Sequence, residues 1–307
     1  MTWGRQASGG DSSSVQNRLV NVKHVQATRN AFAAILADGS VVTWGNAAYG
    51  GDSSAVQERL RDVQQIQATG YAFVAILGDG SVVTWGRSQY GGDSGAVQEQ
   101  LSNVQQVKAS CHAFAALLED GSVVTWGAPA LGGDCRCVKG RLQKVQQIQA
   151  NDDAFAAVLH DGSAVAWGDS DFGGDCSDVQ EKLKNVQQVQ ASSSAFAAIL
   201  GDGSVVTWGG GAGGDCTSVQ EQLRHVQQVQ ATYYAFAAIL QDGSVVSWGD
   251  PLYGGDSSAV RGQLCNVTRI QAGNLAFAAV LDDGSVVTWG HAAFGGDSSA
   301  IQEQVKI

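Results

Sequence analysis

Proline is nearly absent from this sequence, which contains two prolines and forty glycines in 307 residues. The glycines recur at fixed positions of a repeat, as in Gly50-Gly51, instead of gathering in one stretch. No flexible linker is therefore predicted. Apolar residues make up 44% of the chain, which is within the usual globular range and allows a sizeable core.

An excess of positive charge is also missing. Eighteen Lys and Arg residues stand against 29 Asp and Glu residues, so the formal net charge is −11. Proteins that bind nucleic acid usually carry a basic stripe, and anionic membrane surfaces attract basic segments. The charge balance therefore disfavours both nucleic acid and membranes as partners.

Long apolar runs are lacking as well. Every run is far too short to cross a bilayer. The first residues, MTWGRQASGGDSSS, have neither the basic region nor the apolar region of a signal peptide. We therefore expect a cytoplasmic protein.

The six cysteines do not suggest a disulfide framework. Three of them (Cys135, Cys176 and Cys216) follow a Gly-Gly-Asp turn, and in the other copies of that turn serine holds the position: Ser12, Ser53, Ser94, Ser257 and Ser298. A cysteine that interchanges with serine is expected to be a free thiol. The pair Cys135 and Cys137 is too isolated for a zinc site, which needs about four ligands. This pattern is typical of a reduced, intracellular protein.

What the sequence has in abundance is one hairpin. The stretch Ala31–Gly45, AFAAILADGSVVTWG, recurs seven times, and Asp-Gly between two apolar runs is a strong β-hairpin signal. Trp-Gly pairs mark a period of ~41 residues, which lies in the range of β-propeller blades. The sequence therefore predicts an all-β fold, a seven-bladed β-propeller.

Within one repeat, strands are predicted at Val63–Ala68, Ala72–Leu77 and 81–85. The segment 54–60 is predicted to form a short helical turn on the rim, because Ser54 and Gln57 have the spacing of a capping box. The Gly-Gly-Asp carboxylate is predicted to cap that turn. Each blade would then have three to four antiparallel strands.

The two ends of the chain carry duplicate half-repeats, residues 2–20 and 289–307. We expect a single domain over 1–307 in which these segments compete for equivalent places. One of them would close the ring, and the other would remain as a cap or an overhang.

The unit VQQIQA, AFAAIL, DGSVVTWG and GGD resembles the repeat of the regulator-of-chromosome-condensation family, over essentially the whole chain. The short period is most similar to a compact bacterial branch that includes a proteinaceous β-lactamase inhibitor. The resemblance implies a propeller fold that binds other proteins. Longer-repeat members of the family include exchange factors and domains of ubiquitin ligases. The chain departs from the family pattern at Gly-Gly-Asp, where the usual motif is Gly-Gln-Leu-Gly.

No catalytic set can be assembled from the repeats. The Asp-Gly-Ser and Gly-Gly-Asp carboxylates are copied around all the repeats, whereas an enzyme needs one asymmetric constellation, so they are predicted to be turn residues. Calcium at the Gly-Gly-Asp turns remains an open alternative, with one visible carboxylate per copy. The five histidines share no metal-ligand spacing. The sequence thus predicts no enzyme, no metal and no cofactor.

What differs between repeats lies in two short tracts, one before each AFAAIL strand and one after each Trp-Gly. The hairpin brings both tracts to the edge opposite the Asp-Gly turn. Variable loops on a constant frame are how binding sites are built on rigid scaffolds. The candidate protein-binding residues are Arg29, Asn30, Tyr71, Arg87, His112, Asp152, Asp153, Asp169, Asp171, Tyr233, Tyr234, Pro251, Leu252, Asn274 and Leu275.

The sequence therefore predicts a monomeric, non-catalytic scaffold that binds a protein partner through the variable loops of one face. The alternative function is a regulatory or substrate-recognition segment of a larger protein, of the ubiquitin-ligase or exchange-factor type. A second alternative, relaxed drift at exposed positions, also accounts for variable loops and stays open. Bulky residues such as Tyr49, Tyr90 and Tyr253, which lie in the loop after Trp-Gly, are interpreted as packing.

Overall fold

The computed structural model describes Thr2 and residues 4–299. Its strands form seven antiparallel sheets of three strands each, and consecutive strands are neighbours in every sheet. The predicted fold class, an all-β protein with the seven blades of a β-propeller, is confirmed. Each blade has three strands, the lower of the two numbers predicted.

The strands of the first four blades are β1 (Val22–Ala27), β2 (Ala31–Leu36), β3 (Val41–Gly45), β4 (Val63–Ala68), β5 (Ala72–Leu77), β6 (Val82–Gly86), β7 (Val104–Ala109), β8 (Ala113–Leu118), β9 (Val123–Gly127), β10 (Val145–Ala150), β11 (Ala154–Leu159) and β12 (Ala164–Gly168). Those of the last three are β13 (Val186–Ala191), β14 (Ala195–Leu200), β15 (Val205–Gly209), β16 (Val226–Ala231), β17 (Ala235–Leu240), β18 (Val245–Gly249), β19 (Val267–Ala272), β20 (Ala276–Leu281) and β21 (Val286–Gly290).

Short 3₁₀ helices connect the strands within the described residues. They span Gln6–Ser8, Gln16–Arg18, Ala47–Tyr49, Ser54–Arg59, Ser88–Tyr90, Gln98–Gln100, Pro129–Leu131, Ser170–Phe172, Ser177–Val179, Ala212–Gly214, Thr217–Gln222, Pro251–Tyr253, Ser258–Val260 and Ala292–Phe294. Within the described part of the chain, no helix is long and apolar enough to cross a membrane.

By its internal contacts the chain divides into two compact units. The first consists of Met1–Phe155 with Trp167–Asp169, and the second of Ala156–Ala166 with Ser170–Ile307, so the boundary runs through the fourth blade. The single domain over 1–307 and the role of its terminal half-repeats in closure stay predictions.

The core lies between consecutive blades. In the first unit, Ala33, Ile35 and Val41 on one face of the first blade pack in one cluster with Val63 and Ile66 of the second. The same arrangement recurs in the second unit between the sixth and seventh blades. Alanine is frequent on the middle strand because small side chains let neighbouring sheets approach closely. Burial therefore depends on having a neighbouring blade.

A Gly-Gly loop joins each blade to the next. In the second blade, Phe73 and Trp85 stack with ring centroids 5.2 Å apart, and Trp85 Nε1 donates to Gly50 O at 3.0 Å. Gly50 has a φ of 90°, and a Cβ there would lie 2.5 Å from Phe73 Cδ2, so glycine is required. The N-terminal loop does the same for the first blade, where Trp44 Nε1 donates to Gly9 O at 3.0 Å.

The capping box predicted at Ser54 and Gln57 was wrong. Ser53, not Ser54, precedes the 3₁₀ helix, and its side chain makes no capping hydrogen bond. Gln57 Oε1 instead accepts from Ser53 Oγ at 3.0 Å, and Gln57 Nε2 donates to Val41 O at 3.1 Å. The glutamine therefore ties the rim helix to the start of β3, where it satisfies a strand-end carbonyl.

The predicted role of the Gly-Gly-Asp carboxylate is confirmed. Asp52 Oδ1 accepts from the backbone N–H of Ser54, the first residue of the 3₁₀ helix, at 2.9 Å. This hydrogen bond lowers the pKa of Asp52 below its usual value. The six cysteines are free thiols, and three of them are buried: Cys135, Cys176 and Cys216.

Candidate functional site

The hairpin register places the two variable tracts of a blade side by side. In the second blade Ala72 pairs with Gly86 at the end of the hairpin, and Arg87 N donates to Tyr71 O at 3.1 Å. Buried Thr69 fixes the approach to this edge, since its Oγ1 accepts from the N–H groups of Tyr71 and Ala72 at 3.1 and 3.0 Å. The loops are thus held by hydrogen bonds on both sides.

Backbone hydrogen bonds also join these loops from blade to blade. In the first unit, Arg29 N donates to Gly70 O at 3.1 Å, Gly70 N to Cys111 O at 2.9 Å, and Cys111 N to Asp152 O at 2.7 Å. In the second unit, Tyr233 N donates to Asn274 O at 2.8 Å. Within each unit, the variable residues therefore lie at regular intervals along one edge.

In the first unit these loops assemble a group of aromatic and cationic side chains, which we call the Tyr71 cluster. It consists of Arg29, Tyr49, Tyr71, Arg87, Tyr90 and His112. The Tyr71 ring lies 5.3 Å from Tyr49, 4.7 Å from Tyr90 and 5.4 Å from His112, measured between centroids. Tyr71 is therefore the residue on which the cluster converges.

Two guanidinium groups lie against these rings. Arg29 lies 5.2 Å from the Tyr71 centroid, and its Nη1 donates to the Tyr71 hydroxyl at 2.9 Å. Arg87 lies 5.9 Å from the Tyr71 centroid and 5.2 Å from the Tyr90 centroid. Cations at these distances from aromatic rings are attracted to them. Both arginines are exposed, whereas the rings are half-buried.

Two of the predicted acidic residues support this cluster. His112 Nδ1 lies 2.6 Å from Asp153 Oδ1, and both side chains are mostly buried, at 19% and 15% exposure. The Cys111 thiol donates to Asp152 Oδ1 at 3.5 Å. Burial, and after it the Asp152 charge, raises the pKa of Cys111 to about 11. The thiol is therefore protonated at neutral pH and is a poor nucleophile.

The remaining acidic candidates belong to different units. Asp169 lies in the first unit, where its N–H donates to Asp153 O at 3.0 Å and it is half-buried. Asp171 lies in the second unit and is exposed. The structure thus brings Asp152, Asp153 and Asp169 together.

In the second unit the loops carry a row of rings, which we call the Tyr234 row: Tyr233, Tyr234, Tyr253, His291 and Phe294. Tyr234 lies 5.4 Å from Tyr233 and 5.1 Å from Tyr253 between centroids. Tyr233 and Tyr234 are 41% and 43% exposed, and neighbouring Leu252 is 70% exposed. Asp250 Oδ1 accepts from Leu252 N at 2.9 Å and holds the loop that begins with Pro251.

Three other predicted residues have smaller roles at this edge. Asn30 Oδ1 accepts from Ser8 Oγ at 2.9 Å, which ties the N-terminal loop to the first blade. Asn274 contributes its carbonyl to Tyr233, and Leu275 O accepts from His291 N at 2.9 Å. These residues hold the loops in place.

Five members of these groups are not among the candidates predicted from the sequence: His291, and Tyr49, Tyr90, Tyr253 and Phe294, which were interpreted as packing. A usable signal was present, since these positions hold tyrosine in some repeats and Leu131 or Phe172 in others. A hydroxyl favours a half-exposed place over a fully buried one. Among the described residues, no group of three or more His, Cys, Asp or Glu side chains could hold a metal ion.

Solved structures similar to this chain include the ectodomain of the receptor kinase CR4 from Physcomitrella patens, at 16% identity, 87% coverage of this chain, 72% of that chain and a TM-score of 0.49. Another is Prp20p from Saccharomyces cerevisiae, at 17% identity, 77% and 74% coverage and a TM-score of 0.46. A third is the computationally designed Ika8 protein, at 16% identity, 90% and 85% coverage and a TM-score of 0.42.

No protein-family model and no curated protein matches the chain. Yeast RCC1 (Prp20), solved with Kap60, is also similar to this chain, at 17% identity, 78% and 72% coverage and a TM-score of 0.46. The compact short-repeat branch stays a prediction.

Proposed function

We propose that this chain is a non-catalytic protein-binding scaffold whose variable loops form the binding surface, with the Tyr71 cluster as its anchor. The observation that carries the proposal is the convergence of two exposed arginines on half-buried rings, with Arg29 and Arg87 both against Tyr71. Tyrosine and arginine dominate the energetics of protein interfaces. A partner that presents a carboxylate fits Arg87, because a guanidinium fork pairs with a carboxylate in two parallel hydrogen bonds.

The rigidity of the loops supports a binding role. Thr69 holds the Tyr71 backbone, and the hydrogen bonds from blade to blade hold Arg29 and Cys111. Loops fixed before binding lose less conformational entropy when the partner arrives. Independent drift at exposed positions gives no reason for Arg29, Tyr71 and Arg87, from two blades, to share one stack.

The reactive groups in and beside the cluster, His112 and Cys111, are already engaged, which favours binding over catalysis. Cys111 has its pKa raised to about 11, so it does not supply a thiolate. His112 is held by Asp153 at 2.6 Å, in a mostly buried pair. Arg29 Nη2 donates to the Cys111 sulfur at 3.9 Å, and the His112 ring stacks on Tyr71 at 5.4 Å between centroids.

The proposal is tested by replacing the exposed part of the cluster. We expect the triple variant Arg29→Glu, Tyr71→Ala and Arg87→Glu to lose capture of a partner from lysate of the source organism, because the anchor and its charge are both removed. The matched control is Arg59→Glu with Arg61→Glu, which changes two exposed rim arginines outside the cluster. Partners captured by wild type and control, but not by the triple variant, would be identified by mass spectrometry.

Thermal melting should show that the triple variant is as folded as the control. If the triple variant is folded and still captures the same partners, the Tyr71 cluster is not the binding anchor. A partner lost equally with the rim control would indicate general attraction between charges, and that result would also contradict the proposal.

A further inference from the structure

The second and sixth blades carry the same pair of tyrosines at the variable edge. In the second blade, Tyr71 and Tyr90 lie 4.7 Å apart between ring centroids, with an interplanar angle of 40°. In the sixth blade, the residues at the same repeat positions are Tyr234 and Tyr253, which lie 5.1 Å apart with an interplanar angle of 41°. We call these two residues the Tyr234–Tyr253 pair.

The backbone beside the two pairs is held by the same hydrogen bonds. The residue after Trp-Gly donates to the carbonyl of the first tyrosine in both blades: Arg87 N to Tyr71 O at 3.1 Å, and Asp250 N to Tyr234 O at 3.0 Å. The N–H of the second tyrosine donates back to the carbonyl of that residue, at 3.0 Å and 3.1 Å. The side chain of this residue therefore leaves the backbone at the same place relative to the tyrosines in both blades.

What differs between the two blades is the charge beside the rings. In the second blade, the guanidinium of Arg87 lies 5.9 Å and 5.2 Å from the centroids of its two tyrosines. In the sixth blade, the same position holds Asp250. Among the described residues, no Lys or Arg lies over the Tyr234–Tyr253 pair, and none forms an ion pair with Asp250. A cation site is therefore filled from within the chain in one blade and left open in the other.

The preceding blade also leaves the sixth-blade rings uncovered. The second blade receives Arg29 and Tyr49 from the first, and both side chains lie against its first tyrosine. In the fifth blade, the equivalent positions, the latter counted back from the Gly-Gly-Asp turn, hold Ser193 and Ala212. These side chains are too short to cover a ring, and Tyr234 is 43% exposed.

Asp250 has an oxygen to offer to a ligand. Its Oδ1 accepts from Leu252 N at 2.9 Å and holds the loop, while its Oδ2 makes no hydrogen bond with any described residue. In the first blade, Asn46 makes the same loop contact, since its Oδ1 accepts from Ala48 N at 3.0 Å. The loop therefore does not require the charge of Asp250.

We propose that the Tyr234–Tyr253 pair and Asp250 form a second binding site, which takes an arginine side chain of a protein partner. The guanidinium lies over the rings as Arg87 does in the second blade, and it pairs with the Asp250 carboxylate. Arginine suits both contacts, because its planar guanidinium stacks on aromatic faces and pairs with carboxylates. The net charge of −11 adds a long-range attraction for a basic partner. This site shares no residue with the Tyr71 cluster and takes the opposite charge.

Amide NMR of the isotope-labelled chain, titrated with the peptide acetyl-Gly-Arg-Gly-amide, tests the proposal. We expect the peptide to shift the amide signals of Tyr234 and Leu252. The same peptide with citrulline in place of arginine should leave these signals unmoved, because citrulline has nearly the shape of arginine without its charge.

Two substitutions at Asp250 separate charge from loop structure. Asp250→Asn keeps the loop contact, as Asn46 shows, and should weaken peptide binding by about fivefold, as expected for the loss of one surface ion pair. Asp250→Arg places the chain's own guanidinium where Arg87 lies in the second blade, and it should abolish binding. The matched control is Asp242→Asn, in the turn at the other end of the same hairpin, which changes the net charge equally and should bind like the wild type.

The amide spectrum of each variant also shows whether it is folded. Equal shifts with the arginine and citrulline peptides overturn the proposal, as does a folded Asp250→Asn variant that binds as tightly as the wild type. Equal weakening by Asp242→Asn and Asp250→Asn would indicate general attraction of a basic peptide to an acidic chain, and it also overturns the proposal. The triple variant of the Tyr71 cluster should give the same shift at Leu252, so either proposal can fail while the other stands.

Discussion

Val25 and Val107 occupy the same position in the repeat and belong to nearly identical strands, VKHVQA and VQQVKA. Val107 is 1% exposed, and Val25 is 44% exposed. The difference has nothing to do with either strand, since both pair with the next strand in the same register. Val107 lies in a buried cluster with Ala72, Val74 and Ile76 of the second blade. The comparison shows that a blade provides its own hydrogen bonds, while its neighbour provides much of its apolar burial.

The largest expected effect concerns the loop that connects blades. Gly50→Ala and Gly295→Ala place a Cβ at nearly the same positive φ, 90° and 94°. At Gly50 the new atom also meets Phe73, so we expect a loss of about 3 kcal/mol of unfolding free energy from strain and overpacking together. At Gly295 only the strain of about 1 kcal/mol remains. Urea unfolding of the two variants measures the difference.

Gly140→Ala is the control for that pair, because Gly140 has no positive φ and nothing within 4 Å of a Cβ position. It should leave the urea midpoint close to that of the wild type. Equal losses at Gly50 and Gly295 would show that Gly295 is also packed against a side chain in solution, as Gly50 is against Phe73.

The second effect tests the two valines directly. Val107→Ala removes buried methyl groups and should lower the unfolding free energy by about 2 kcal/mol. Val25→Ala should lower it by about 0.5 kcal/mol or less in dilute solution, where the side chain is exposed. Denaturant unfolding of both variants checks both numbers. A large loss for Val25→Ala would contradict the exposed position of this valine.

The smallest effect concerns a hydrogen bond made within a single turn, between the serine hydroxyl and the aspartate carboxylate. In the Asp-Gly-Ser turns of the first and second blades, the Ser40 and Ser81 hydroxyls lower the pKa of Asp38 and Asp79. A carboxyl with a lowered folded-state pKa stabilises above its unfolded pKa and loses that contribution as the pH falls through the folded value. We expect Ser40→Ala and Ser81→Ala to weaken this acid sensitivity by the same small amount.

Melting temperatures at neutral pH and near about pH 3, below the unfolded pKa of aspartate, measure this effect. The turn geometry is the same in both blades, with Oγ to Oδ1 distances of 2.6 Å. If the two variants differ in their pH dependence, the turns are not independent of the neighbouring blade.

Features set by interactions within one repeat were predicted correctly, and features that depend on distant residues were not. The strands Val63–Ala68 and Ala72–Leu77 were predicted to the residue, because a hairpin signal and an apolar pattern act within one repeat. The capping box at Ser54 and Gln57 was wrong because Gln57 has a competing acceptor, Val41 O, 16 residues away in the chain. A local motif does not reveal a distant acceptor that satisfies the same side chain.

The candidate site shows the same division. The prediction that both variable tracts of a blade share one edge needed only the hairpin register. The members of the Tyr71 cluster come from three repeats, and Tyr49 and Tyr90 were interpreted as packing because their partner Tyr71 lies 22 and 19 positions away. Which variable residues meet depends on how neighbouring blades stack, and one repeat read alone does not contain that information.

The sequence by itself determined the blade: its three strands, its Asp-Gly turn and the Trp-Gly edge, because these depend on hydrogen bonds and side-chain alternation within some forty residues. The tertiary structure alone decided which copies of a strand are buried and which Gly-Gly loops pack against an aromatic ring. It also decided which side chains converge on Tyr71. The physical reason is that apolar burial and ring stacking require a second surface. Identical sequences therefore acquire different environments according to whether a neighbouring blade supplies that surface.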